Sequence, residues 1–252
     1  MRAAHAYRAL SPVASEDPAM TPEGCRRAAR CRACTVRQNA LFVNLTYDEL
    51  DAIAWKVPEE TIPAGETLYR SGDQPGTIFI LRSGLIKLET YLSDGSYRIV
   101  RLARRSDLLG LERLLDSPCD HTAIALADTE VCKVPLDVVR QVMAHQPWLS
   151  TQMIRHWHQA LQQADGWLAQ YSLGAGRQRV ARFLVDLHDL SGDEQGRITI
   201  PSRDDVGAIL GITKETASRL IADFHRTGLL TKIDQQRATI QRAPLAGIAE
   251  GE

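Results

Sequence analysis

Four cysteines hold the spacing with the clearest chemistry: Cys25, Cys31 and Cys34 form a Cys-x5-Cys-x2-Cys group, and Cys132 stands far downstream. Four thiolates are the usual complement of an iron–sulfur cluster, and two cysteines separated by two residues can grip one cluster. The same set suits structural zinc, and oxidisable thiols alone would make a switch. Cys119 is left over: an alternative ligand, a redox thiol or, by default, a small buried residue. Five cysteines is an odd number, and the first forty residues carry Arg and Cys where an export signal would be apolar. Both points argue against a disulfide framework and for a cytoplasmic protein.

A second chemical group lies near the C-terminus. Ser202-Arg203-Asp204-Asp205 reads as a capping box that starts a helix running to Leu210, and Gly211 ends it. Thr213 then caps a helix from Lys214 to His225. Two short helices joined by a Gly-containing turn form a helix-turn-helix, and the Leu229 to Ile240 segment supplies a wing. On the second helix Leu220 and Phe224 point inward, which leaves Glu215, Ser218 and Arg219 outward near its N-terminal end. Arg donates two parallel hydrogen bonds to guanine, Glu accepts from the cytosine amino group, and Ser contacts bases or phosphate. Lys214, Arg226, Lys232, Arg237 and Arg242 are available for phosphates.

These groups need elements to position them. The chain has 252 residues, 44% hydrophobic and 24% charged, enough for a packed core and two domains. Lys and Arg total 30 against 31 Asp and Glu, so basic surface can only be local. No apolar run reaches the length that crosses a bilayer. Residues 1–40 form a cysteine-containing segment without a sustained period. Residues 41–145, after a capped helix at Thr46 to Trp55, show short apolar runs with Gly turns every eight to twelve residues, which suits an antiparallel sandwich or barrel, with a hairpin at Asp94-Gly95. Residues 146–173 form a long helix with a stripe of Met153, Trp157, Leu161, Ala164, Leu168 and Tyr171, which suits pairing with a second copy or packing on the sandwich. Residues 174–252, after a break at Ser172–Gly176, hold a further amphipathic helix, a short strand at Arg197–Ile200 and the winged helix-turn-helix.

This order, and the run Gly-Ile-Thr-Lys-Glu-Thr-Ala-Ser-Arg-Leu-Ile, resemble the CRP/FNR family of bacterial transcription regulators over about Leu41 to Ile240. The resemblance implies an α+β chain: an N-terminal cyclic-nucleotide-binding-like β jelly roll, a long dimerisation helix and a C-terminal winged helix-turn-helix that reads a palindrome in double-stranded DNA as a homodimer. RNA polymerase is the further partner it implies. Glu215-x-x-Ser218-Arg219 matches the FNR branch, whose half-site is of the TTGAT type. That match makes Glu215 and Arg219 the principal base readers, with Thr213, Lys214 and Ser218 beside them. Cys31 and Cys34 match the family's Cys-x2-Cys, and Cys132 its downstream cysteine. Relatives place their next cysteine around Ala40 or Phe42, whereas here Cys25 lies upstream. The implied site is a [4Fe–4S] cluster on Cys25, Cys31, Cys34 and Cys132, sensing oxygen or nitric oxide.

Cyclic-nucleotide binders of the family follow a Gly-Glu cassette with an arginine for the cyclic phosphate. Here Gly110-Leu111-Glu112 leads to His121-Thr122-Ala123 without it, which argues against cyclic AMP. The rival reading is an organic effector in the jelly-roll pocket with incidental cysteines, and haem on His156 or His158 is a minor option. No phosphate-binding glycine loop, nucleophile elbow or His-Glu-x-x-His motif is present, so the chain is expected not to be an enzyme.

Overall fold

The computed structural model describes residues 22–38, 41–234 and 236–251; the side chains of 22–25, 27 and 37–38 lie outside that description. Where the sequence showed no sustained period, helix α1 runs Pro22–Arg32, followed by a single 3-10 turn at Thr35–Gln38. Ion pairs hold it down: Arg32 with Asp51, and Arg30 with Glu59 at 3.0 Å. Helix α2 (Tyr47–Ala54) starts where the capping box puts it. The Thr46 amide donates to the Glu49 carboxylate, and the Glu49 amide donates back to the Thr46 hydroxyl.

Eight strands then build the sandwich: β1 (Glu59–Ile62), β2 (Thr67–Tyr69), β3 (Thr77–Ser83), β4 (Ile86–Tyr91), β5 (Tyr97–Ala103), β6 (Leu108–Leu109), β7 (Thr122–Ala125) and β8 (Thr129–Pro135). They form two antiparallel four-stranded sheets, ordered β1-β8-β3-β6 and β2-β7-β4-β5. Phe79, Leu81 and Val131 point between the sheets onto Ile86 and Leu88. Their alternates Ile78, Ile80 and Val134 point outward, because successive strand residues face opposite ways. That outer face is covered by α2 and by helix α3 (Leu136–His145). At the β4–β5 hairpin Gly95 takes φ +82°, and Asp94 accepts from the Ser96 amide.

Helix α4 (Trp148–Tyr171) leads through a break, with Gly174 at φ +89°, into α5 (Gly176–Ser191). The sequence stripe on α4 divides into two faces. Met153 and Tyr171 are buried in their own chain, whereas Leu161 and Leu168 are 59% and 71% exposed. Ile154, outside the expected stripe, joins this outer row at 66% exposure. The cause is that the N-terminal domain and, at Tyr171, α5 take one side of α4 and leave a seven-residue repeat of Ile154, Leu161 and Leu168 facing away.

The C-terminal part contains β9 (Arg197–Thr199), α6 (Arg203–Leu210), α7 (Lys214–Arg226), β10 (Leu230–Lys232), β11 (Arg237–Ile240) and α8 (Arg242–Glu250), with the strands ordered β10-β11-β9. Helix α8 has no sequence signal, since Pro244 and Gly247 weaken it. Pro244 sits in its first turn, where the missing N–H would have no partner anyway. Leu245 and Ala249 bury it against the domain, and Arg182 donates to the Ala249 carbonyl at 2.5 Å. One core spans the two halves: Leu85, Ile99 and Leu102 of the sandwich pack with Val206, Ile209 and Leu210.

Candidate DNA-reading face and thiol pocket

Helices α6 and α7 meet closely because Gly207 lets them. A Cβ there would lie 2.7 Å from the Ile212 carbonyl oxygen in the turn between them. Gly211 closes α6 in the left-handed region at φ +63°, a cost only glycine avoids. The Ser202 hydroxyl accepts from the Asp205 amide at 3.1 Å, as expected of a cap. The return half of the box differs. Asp205 Oδ2 accepts from the Ser202 hydroxyl, and Oδ1 turns to Lys87 Nζ at 2.6 Å and the Tyr97 hydroxyl at 3.1 Å. A carboxylate read as a local cap therefore ties the first helix of the DNA-reading unit to the sandwich.

Helix α7 buries Ala217, Ile221 and Phe224, with Leu220 partly covered. Its opposite side carries Glu215 and Arg219, one turn apart and exposed, with Ser218 half-buried beside them. Neither Glu215 nor Arg219 makes a hydrogen bond or ion pair within the described residues, so both remain available to base edges. Thr213 spends its hydroxyl on the Thr216 amide, and Lys214 reaches 2.7 Å to Asp204 across the turn. Of the five expected phosphate holders, Lys214, Arg226, Arg237 and Arg242 are ion-paired within the chain. Lys232 on the wing is unpaired among the described residues. Arg203, which opens α6, likewise has no partner and lines the same interdomain cleft as Lys232.

The cysteines converge from three separate places. Cys31 at the end of α1, Cys34 just beyond it and Cys132 in β8 line one apolar pocket of about 50 Å³ with Phe42, Ile53 and Ile80. The strand register explains Cys132: it pairs directly with Ile80 on one side and Glu59 on the other, so it stands on the outer face beneath α1 and α2. Burial pushes the Cys132 thiol up to about 12, with Arg82 pulling the other way. Burial, followed by Cys34 and Glu59, also raises Cys31. All three are free thiols. No group of three or more His, Cys, Asp or Glu side chains among the described residues is arranged to hold a single metal ion. Cys25 lies in α1, and its side chain is outside the described set. Helical geometry puts its backbone about 9 Å along the axis from Cys31 and on a different side of the helix. Cys119 is buried away from the others between the sheets, and burial pushes its thiol up to about 12.

A second cavity, about 660 Å³, lies between the β2-β7-β4-β5 sheet and α4, lined by Arg101, Arg104, Glu112, His121 and His156. Arg101 Nε is buried there without a hydrogen-bond partner. Arg113 follows the Gly110–Glu112 cassette but turns to the Pro75 and Ser117 carbonyls, so it is structural. His156 faces the cavity and burial holds it below the usual imidazole range, whereas His158 is exposed. The two do not converge.

Arg82, Glu59 and the Lys87–Asp205 pair carried no signal in the sequence. Their placement depends on strand register and domain packing, which spacing along one chain does not encode.

Residues 59–146 match the Cyclic nucleotide-binding domain family, and residues 178–244 match the Crp-like helix-turn-helix domain family. The chain is 27% identical over 231 residues to the Transcriptional activator protein FnrA of Stutzerimonas stutzeri, covering 90% of this chain and 95% of that one. It is 28% identical over 213 residues to the Fumarate and nitrate reduction regulatory protein of Escherichia coli, covering 82% and 84%. Both domain families, in the order the fold shows, and full-length relatives of one kind decide the matter. The chain belongs to the CRP/FNR family. Its fold is shared with FixK2 of Bradyrhizobium japonicum at TM-score 0.67 and 23% identity, over 76% of this chain and 96% of that one. A CRP/FNR-family regulator of Thermus thermophilus follows at TM-score 0.63 and 21% identity, over 77% and 98%. As a CRP/FNR member this protein is a DNA-binding transcription regulator and not an enzyme. No helix among the described residues is long and apolar enough to cross a membrane.

Proposed function

We propose that this regulator senses oxygen, or nitric oxide, through a [4Fe–4S] cluster held by its N-terminal cysteines, and binds a TTGAT-type palindrome as a homodimer. The observation that carries the reading is the convergence of Cys31 and Cys34 with Cys132, from a distant part of the sequence, on one apolar pocket. Three thiols on an apolar wall fit an iron–sulfur group in donor chemistry. Such a group supplies a redox centre that dioxygen or nitric oxide can attack. Cys25, six residues before Cys31 in α1, is the fourth ligand of the proposal.

The DNA side rests on Glu215 and Arg219. Arg219 suits the guanine of the half-site, and Glu215 the amino group of the cytosine paired with it, while Lys214, Ser218 and the Thr213 cap orient the helix end. The exposed Ile154, Leu161 and Leu168 row, with Trp157 and Ala164 between, has the seven-residue repeat of a two-helix seam. A second copy paired there would present two recognition helices to major grooves about 34 Å apart. RNA polymerase is the remaining partner of the reading.

The test is anaerobic purification with iron and acid-labile sulfide analysis, followed by DNA binding before and after air. About four iron and four sulfide per chain, lost in air together with affinity for the palindrome, is the expected result. A colourless, iron-free protein that binds equally in air overturns it. That outcome would favour an anionic organic effector in the larger cavity, which Arg101 and Arg104 line beside α4.

A further inference from the structure

The thiol pocket has one charged side chain among the described residues that line it, Arg82. Its neighbours there are apolar, so the charge acts through a medium that screens it poorly. Arg82 stands near the end of β3 at a bulge between Leu81 and Ser83, and lines the same pocket as Cys132. It is largely covered, with its side chain 18% exposed, and is fixed by Glu59 at 2.6 Å. Glu59 also accepts from Arg30 at 3.0 Å. Glu130 adds a longer ion pair to Arg82 at 4.0 Å, so two carboxylates face two guanidinium groups, and of these four charges Arg82 is the one that lines the thiol pocket.

We infer that Arg82, positioned by Glu59, sets how readily the group bound by the three thiols is lost to oxidation. The inference rests on the iron–sulfur reading above. Loss begins when one electron passes from the site to dioxygen, which leaves as superoxide. The site becomes one charge more positive in that step, and a fixed cation beside it opposes the change. Arg82 is thus a positioning and tuning residue that donates no ligand. Glu59 works in the opposite sense, because its charge offsets part of the guanidinium's.

The experiment follows the visible absorbance of anaerobically reconstituted full-length protein after addition of air-saturated buffer, together with the midpoint potential. Arg82→Gln is expected to bind the same iron and sulfide as the unaltered protein but bleach roughly three- to tenfold faster, with a lowered potential. Arg82→Lys should restore most of the lifetime, which a purely packing role would not produce. Glu59→Gln should lengthen it. Bleaching of the Gln variant at the unaltered rate, or a Lys variant no better than Gln, overturns the role of Arg82 while leaving the cluster reading intact. Failure of the unaltered protein to take up iron overturns both. Should Arg82→Gln fail to fold, Glu59→Gln decides alone: a longer lifetime supports the inference, and an unchanged or shorter one overturns it.

Discussion

Lys87 Nζ, on strand β4 of the sensor sandwich, lies 2.6 Å from Asp205 on the first helix of the DNA-reading unit and 2.7 Å from Glu89 on its own strand. Tyr97 adds its hydroxyl to Asp205 and its ring beneath the ammonium. Asp205 and Glu89 are both almost fully buried, so one lysine compensates two carboxylates at the seam between the halves. Removing the lysine leaves two buried carboxylates without their cation. Lys87→Met is expected to destabilise the protein by about 3–5 kcal/mol in urea unfolding. Asp205→Asn, which leaves Lys87 its bond to Glu89, should cost about 1–2 kcal/mol.

The same contact has a defined pH range. Burial alone would lower the Lys87 pKa, but its hydrogen bonds to Asp205 and Glu89 outweigh burial and hold it above the ordinary lysine value. A cation whose pKa is raised in the folded state contributes stability that is fully present below its unfolded pKa and is lost as pH rises through the folded one. The contribution should be flat through neutral pH and fall only above about 10.5. The gap between the unfolding midpoints of the unaltered protein and Lys87→Met, measured from pH 7 to 11, should be constant to about pH 10 and begin to narrow at the alkaline end.

Much of this architecture was legible in the sequence because it depends on local rules. Thr46 with Glu49, Asp94-Gly95, and Thr213 with Gly211 each act over a few residues, and each element lies where those residues put it. The outward placement of Glu215 and Arg219 follows from helical period alone. The failures are all tertiary. Met153 and Tyr171 fit the same stripe as Leu161 and Leu168, and only the packing of other elements decides that the first two are buried, Tyr171 against Phe183 and Asp186 of α5. Asp205 satisfied a capping pattern while its carboxylate was committed elsewhere. Helix α8 forms against its own propensity, because Leu245 and Ala249 bury on the domain.

Base reading and backbone holding separate in DNA binding. Arg219→Ala or Glu215→Ala should cost about 1–3 kcal/mol on the specific palindrome and little on random duplex. Lys232→Ala and Arg203→Ala, which remove cations left unpaired among the described residues, should weaken both duplexes alike. Each should also reduce the slope of log affinity against log salt by about one. Equal losses on both duplexes for Arg219→Ala would remove it from the base-reading role.

The cysteines can be ranked by iron content. Cys31→Ala, Cys34→Ala and Cys132→Ala should abolish uptake, since these three share the pocket. Cys25→Ala is expected to lower iron content as well. Full iron content in Cys25→Ala would assign the fourth position to another group.

The outer row of α4 should govern association. Leu161→Asp places a charge in the middle of the apolar repeat, and sedimentation equilibrium should show a monomer where the unaltered protein dimerises. Met153→Ala, by contrast, should lower monomer stability by about 2–5 kcal/mol and leave the association constant of the folded protein little changed.

The core shared by Leu85, Ile99 and Leu102 with Val206, Ile209 and Leu210 bears on modular exchange. The break at Ser172–Ala175 invites a recombination point, as though sensor and reader were separable parts. A chimera cut there would expose half of a common interior and leave Asp205 facing a foreign strand. Reprogramming this regulator by exchange therefore requires moving β4 and β5 with the reader, or redesigning both sides of the joint together.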